Sequence, residues 1–168
     1  MPFITPLLLA STLLSDAATS PAVVGEWRYG SVRGVTYWDS SSGHYLGDGG
    51  GQSDTYIFAK DGTFKEYVYM KNSPMAGWTT QIFTRYEGKY AVEGDKIKLT
   101  VVKGDYKVSD NRVQRQNYDR PMTDEEVKKA AKSYRFTLDT DNGKPVLLIH
   151  LTKKEKITYR WVEKQKQG

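Results

Sequence analysis

Residues 54–103, DTYIFAKDGTFKEYVYMKNSPMAGWTTQIFTRYEGKYAVEGDKIKLTVVK, fall into four runs of alternating apolar and polar side chains, 54–59, 63–72, 78–92 and 96–103. The first break, Lys60-Asp61-Gly62, is an Asp-Gly hairpin signal, and Glu93-Gly94-Asp95 is a second tight turn; between them Ser73-Pro74-Met75-Ala76-Gly77 reverses the chain. Hairpins that follow one another this closely make a meander. Working outward, residues 23–32 read as a strand opened by Gly25-Glu26-Trp27. Residues 134–138, 146–151 and 157–162 are three more, turned at Asp141-Asn142-Gly143 and Lys153-Lys154-Glu155. The polar stretch 105–121 reads as a strand continued past a bulge at Gly104.

One helical pattern interrupts the strands. Thr123-Asp124-Glu125-Glu126 is a capping box, and Val127, Ala130 and Ala131 give a small apolar stripe before the helix ends near Ser133. This places Lys128, Lys129 and Lys132 on a solvated helix face. The expected fold is all-β: an eight-stranded antiparallel up-and-down barrel with one short helix inserted before the last three strands. Closure is the expectation because it removes the edges of the sheet.

The chain has 168 residues, 38% hydrophobic and 12% aromatic, with twelve tyrosines, four tryptophans and no cysteine. That length and composition suit one domain with a substantial core, here residues 19–168, and exclude disulfides, thiol catalysis and thiolate metal sites. Residues 3–14 are almost wholly apolar, and Ser15-Asp16-Ala17 followed by Ala18 offers a small-x-small cleavage pattern. Residues 1–18 are therefore read as a signal peptide and the protein as periplasmic or secreted. No basic residue precedes the apolar run, and no stretch reaches the roughly 20 residues of a membrane span. The net charge of +5 is spread through mixed runs such as Lys153-Lys154-Glu155-Lys156, a solvated pattern that does not point to nucleic acid.

Side chains two apart share a face of a strand. Phe64, Glu66, Val68 and Met70 form one set and are assigned to the interior, leaving Tyr67 and Tyr69 outside. The same rule sends Trp27, Tyr29, Tyr56, Phe58, Trp78, Ile82, Tyr86, Tyr90 and Val92 inward. Ile97, Leu99 and Val101 follow, then Tyr134, Phe136, Leu138, Leu147, Ile149, Leu151, Ile157, Tyr159 and Trp161. An interior carboxylate costs several kcal/mol unless it is paired or solvated, so Glu66 calls for a wet cavity, a partner such as a tyrosine hydroxyl, or a place near the mouth. An interior of this size can be filled by its own side chains or hold one small ligand.

With these residues in place the chain resembles the lipocalin-like, calycin-type β-barrels found in many bacterial proteins. Gly25-Glu26-Trp27 is similar to the family's G-x-W on the first strand. Asp61-Gly62-Thr63-Phe64 and Gly88-Lys89-Tyr90-Ala91-Val92-Glu93-Gly94-Asp95-Lys96-Ile97 resemble its hairpin signatures, and the long Gly- and Ser-rich segment 33–53 resembles the loop that covers the mouth. The resemblance spans residues 24–162. It implies that a late arginine packs over the G-x-W tryptophan; Arg160 stands in that place for Trp27, although alternation sets it opposite Tyr159 and Trp161. The helix departs from the usual position after the eighth strand.

Few residues offer chemistry. His44 lies in the long loop with Asp39, Asp48 and Asp54 nearby, which allows a weak metal site or an acid/base pair as well as a solvated loop histidine; His150 is expected to point outward. No Gly-x-Ser-x-Gly is present, and Gly47-Asp48-Gly49-Gly50-Gly51 lacks the Lys-Ser/Thr ending of a phosphate loop. The leading expectation is a non-enzymatic, cofactor-free protein that binds a small apolar or amphipathic molecule. Trp27, Tyr56, Phe58, Phe64, Trp78, Tyr86 and Phe136 would supply contact area and Glu66 would fix a polar end, under a lid bearing Tyr37, Trp38, His44 and Tyr45. One alternative is a packed barrel that acts on a protein partner through the aromatic loop or the Tyr67-Tyr69 face. A third is an enzyme built on His44.

Overall fold

The computed structural model describes residues 21–33 and 50–163. Its strands, in chain order, are β1 (Gly25–Arg33), β2 (Gly50–Phe58), β3 (Thr63–Met75), β4 (Trp78–Glu93) and β5 (Lys96–Asp110). Then come β6 (Tyr118–Pro121), helix α1 (Asp124–Lys129), β7 (Lys132–Asp141), β8 (Lys144–His150) and β9 (Lys156–Trp161). Nine strands form one antiparallel sheet. Eight of them close in a ring, because β1 pairs with β2 on one side and β9 on the other, and β4 and β7 both pair with β5. The ninth, β6, was not expected; it lies against the far half of β5, with Val108 opposite Tyr118.

β3, β4 and β5 run 13 to 16 residues, against six to ten for the strands of the other side, so the three project beyond the ring at one end. The expected bulge lies close to Gly104. Glu87 pairs with Lys103 but Gly88 with Val101, which leaves Val102 as the extra residue. Helix α1 has the predicted capping box, Thr123 exchanging hydrogen bonds with Glu126, but it stops at Lys129. Lys132 therefore opens β7 and does not lie on the helix.

The floor of the ring is the main core. Trp27, Phe58, Phe64, Ile97 and Leu147 are fully buried there, and Phe136 is packed against them. The ring closes at an edge-to-face contact of Trp27 with Trp161, ring centres 5.0 Å apart, while the Trp27 indole N–H donates to the Val23 carbonyl at 2.8 Å. Arg160 takes no part. It is exposed and meets Asp141 at 3.4 Å, as strand alternation dictates. Gly25 has φ +140°, and any Cβ there would collide with the Trp161 ring, so the glycine of the G-x-W motif makes room for the closing tryptophan.

Two expectations about exposure are corrected. Tyr67 and Tyr69 lie on the outer face but are completely buried, with Ile57 and Phe83 packed against them and Ser53 and Thr55 buried beside them; that side of the sheet is covered. The outer residues Val146 and Leu148 of β8 are buried as well, while His150 bonds the Thr137 hydroxyl at 2.9 Å. Met70, Ile82, Leu138 and Leu151, placed in the interior, are exposed; Met70 and Ile82 sit on the projecting strands and Leu151 in the turn after β8.

Gly25→Ala is expected to lower stability by about 2 kcal/mol by displacing Trp161, whereas Gly94→Ala, at φ +60° with nothing near its Cβ, loses only the backbone preference of about 1 kcal/mol. Urea unfolding followed by tryptophan fluorescence compares the two, and equal losses would remove the closing role of Trp161.

Candidate functional site

Strand alternation carries the inner face of the ring upward from its apolar floor to a charged layer. On β2 and β3 the register sets Tyr56 opposite Glu66 and Asp54 opposite Val68, so both carboxylates face inward on adjacent strands. Lys132, first residue of β7, pairs with Leu99 and reaches across the interior. Its ammonium donates to both oxygens of Glu66, at 2.6 and 2.8 Å, and sits 4.7 Å from the centre of the Tyr86 ring. The Tyr56 hydroxyl also donates to Glu66, at 3.0 Å. Glu66 is only 1% exposed, whereas the lysine is 23% exposed, so the pair meets water on the lysine's side.

Asp54 is held differently. The Tyr159 hydroxyl donates to its Oδ2 at 2.8 Å, and the Tyr159 ring packs against Tyr56 and Tyr29 at 5.3 and 5.8 Å. Its other oxygen, Oδ1, is buried and finds no donor in hydrogen-bond geometry among the described residues; the Thr55 backbone amide is the smallest of the influences that lower the carboxyl. Burial, followed by the charge of Glu66, pushes the Asp54 carboxyl up to about 7, against the smaller opposing pull of Tyr159 and Lys132. Burial likewise raises the phenols of Tyr56, Tyr86, Tyr134 and Tyr159, which keeps them neutral donors.

Above this layer the inner face of the projecting strands mixes polar and apolar side chains, with one apolar row among them. Met70 and Ile82 pair across β3 and β4, Ile82 pairs with Val108, and Val108 with Tyr118. Met70 is 40% exposed, Ile82 37% and Tyr118 44%. Arg120 lies over the rings of Tyr106 and Tyr118 while paired to Glu126 at 2.8 Å. The tip is tied by Asp110, which accepts from Trp78 Nε1, the Thr80 hydroxyl and the amides of Arg112 and Val113; the two side-chain donors lead in holding its carboxyl well below the usual range.

Of the residues expected to line a site, Tyr56, Glu66 and Tyr86 come together in the charged layer. Trp27, Phe58, Phe64 and Phe136 belong to the floor beneath it, with Tyr56 stacked on Phe58 at 5.5 Å. Trp78 stands apart: eight residues from Tyr86 on one strand, it is roughly 27 Å away at the tip. Tyr37, Trp38, His44 and Tyr45 lie outside the described residues. Sequence reasoning missed Asp54, Lys132 and Tyr159 as members of one group. Asp54 shares the alternation of Tyr56 and Phe58, and Lys132 that of Tyr134 and Phe136, so period two held the signal for both.

A separate groove of about 300 Å³ lies outside the ring at the bulge, lined by Lys65, Glu87, Gly88, Lys89, Val102 and Lys103. Among the described residues no helix is long and apolar enough to cross a membrane, and no group of three or more acidic or histidine side chains is placed to hold a metal. No protein-family model matches the chain, and no curated protein matches it in sequence.

Lys132→Met leaves Glu66 buried without its cation and is expected to cost about 3 kcal/mol, most of it recovered when Glu66→Gln is added; urea unfolding of the single and double variants reads the difference. The pH dependence of stability has a definite sign. A carboxyl whose folded value is raised binds more protons when native than when unfolded, so stability falls as pH rises from about 4 to about 7, by up to about 1.4 kcal/mol per unit, and is flat above. The depressed carboxyls of Asp95, Asp110 and Glu126 act only below that window. Asp54→Asn is expected to abolish the slope in a pH series of unfolding curves.

Proposed function

We propose that this protein is a lipocalin-like β-barrel, exported and non-enzymatic, that binds a small amphipathic molecule at the projecting end of the ring. The observation that carries the reading is the sequence of surfaces on one inner face: an apolar row of exposed Met70 and Ile82 with half-buried Val108, below which lies the Lys132 ammonium paired to buried Glu66. A protein that only needed a packed interior would gain by filling the Glu66 position with an apolar side chain, since a buried ion pair is often no better for stability than hydrophobic residues of similar volume. A polar floor beneath an apolar wall instead suits a ligand with a polar end and an apolar body. The closed ring supports a rigid frame for the site, and the G-x-W strand and hairpin signatures support the lipocalin-like assignment.

The site residues under this reading are Asp54, Tyr56, Glu66, Tyr86 and Lys132 at the floor and Met70 and Ile82 on the wall. The floor aromatics Trp27, Phe58, Phe64 and Phe136 shape the ring from below. Trp78 closes the tip and makes no ligand contact. The alternative of a protein-interaction module loses the Tyr67-Tyr69 face, which is buried.

An environment-sensitive apolar dye is expected to bind with one-to-one stoichiometry. Ile82→Glu should weaken it at least about 10-fold with little change in the urea midpoint, because the side chain is already exposed. Unchanged dye affinity in that variant would place binding elsewhere and remove the reading.

A further inference from the structure

The charged layer contains two carboxylates and one ammonium. Lys132 commits its ammonium to both oxygens of Glu66 and to the Tyr86 ring, and Asp54 receives a single hydroxyl from Tyr159. Among the described residues, the other titratable groups facing Asp54 from the strands around it are phenols: Tyr29 from β1, Tyr56 from β2, Tyr86 from β4, Tyr134 from β7 and Tyr159 from β9. Two further basic groups among the described residues are engaged elsewhere. Arg28 is paired with Glu26 on the outer face and Arg120 with Glu126 towards the tip. With Asp54 ionised the layer is one negative charge out of balance, in surroundings where an uncompensated charge is costly.

Resting on the amphipathic-ligand reading, we infer that the ligand carries one positive charge, an ammonium on an apolar body, and that this group docks on Asp54 Oδ1 among the rings of Tyr56, Tyr86 and Tyr159. Three features converge on that chemistry. Oδ1 is a buried acceptor with no donor among the described residues, and an ammonium brings three. The tyrosine faces attract a cation and cannot compete with it for the carboxylate by ionising. The apolar wall of Met70 and Ile82 rises from the same place and accepts the body. A carboxylate ligand would instead meet two carboxylates already there.

Protons and the ligand compete for the same oxygen. A carboxyl that titrates near pH 7 is mostly ionised at pH 8 and mostly protonated at pH 5.5, so the cation binds more tightly at the higher pH and expels a proton when it binds below pH 7. An alkylammonium keeps its charge throughout this range, which leaves Asp54 as the titrating partner.

The test uses three probes with one body, octylamine, octan-1-ol and octanoate, titrated calorimetrically into the full chain at pH 8 and pH 5.5. Octylamine is expected to bind at least about 10-fold more tightly than octanol at pH 8, the gain of one charge-assisted hydrogen bond, and to lose most of that advantage at pH 5.5. Asp54→Asn should abolish the preference for the amine while leaving octanol unchanged. If octanol binds but octylamine shows no preference, or if the preference survives in Asp54→Asn, the inference is overturned and the amphipathic reading stands. If none of the three binds to folded protein, the amphipathic reading fails and the inference fails with it.

Discussion

Ring closure between β1 and β9 is the constraint on which the rest depends. It is a short seam, Trp27 opposite Trp161 and Arg28 opposite Arg160, fixed by the edge-to-face packing of the two indoles over Gly25. An open sheet of the same strands would leave β1 and β9 as edges and would hold Asp54 and Tyr159 far apart. Closed, it brings inward side chains from β2, β3, β4, β7 and β9 to one layer. The floor is apolar and buried, which gives the stability against which a buried charged layer can be tolerated.

That layer is built by register more than by local sequence preference. Asp54, Tyr56 and Glu66 face inward because β2 and β3 pair through a tight Asp-Gly turn, and a shift of one residue would turn all three outward. Lys132 arrives from the other side of the ring because α1 ends after six residues, which starts β7 early enough to face Glu66. The short helix thus has a positional role. Its capping box fixes where it starts, and the two-residue step to β7 fixes where the lysine enters.

The strands were legible in the sequence because alternation and Asp-Gly turns are strong, local signals. The eight-strand order, the hairpins of residues 54–103, the helix start at Thr123 and the inward Glu66 with a tyrosine partner all follow from them. What was not legible came from two sources. The first is overlap of periods: Lys128, Lys129 and Lys132 fit one helical face, and only the observed stop at Lys129 releases Lys132 to the strand pattern of Tyr134 and Phe136. The second is cover on the outer face. Alternation says which residues share a side, not whether that side meets water, so Tyr67 and Tyr69 were assigned outward correctly and to solvent wrongly, and Val146 and Leu148, on the face of His150, are buried. The exposed Met70 and Ile82 are the converse case, inward by alternation but beyond the height of the ring.

The central claim is that the apolar wall and the charged layer beneath it are one ligand site, and methyl NMR reads it directly. With methyl-labelled Met, Ile and Val, titration of octylamine is expected to shift the methyl signals of Met70, Ile82 and Val108 together in a single saturable process, leaving Val102 in the outer groove unmoved. Shifts confined to Val102, or no shifts at any of the four, would contradict it.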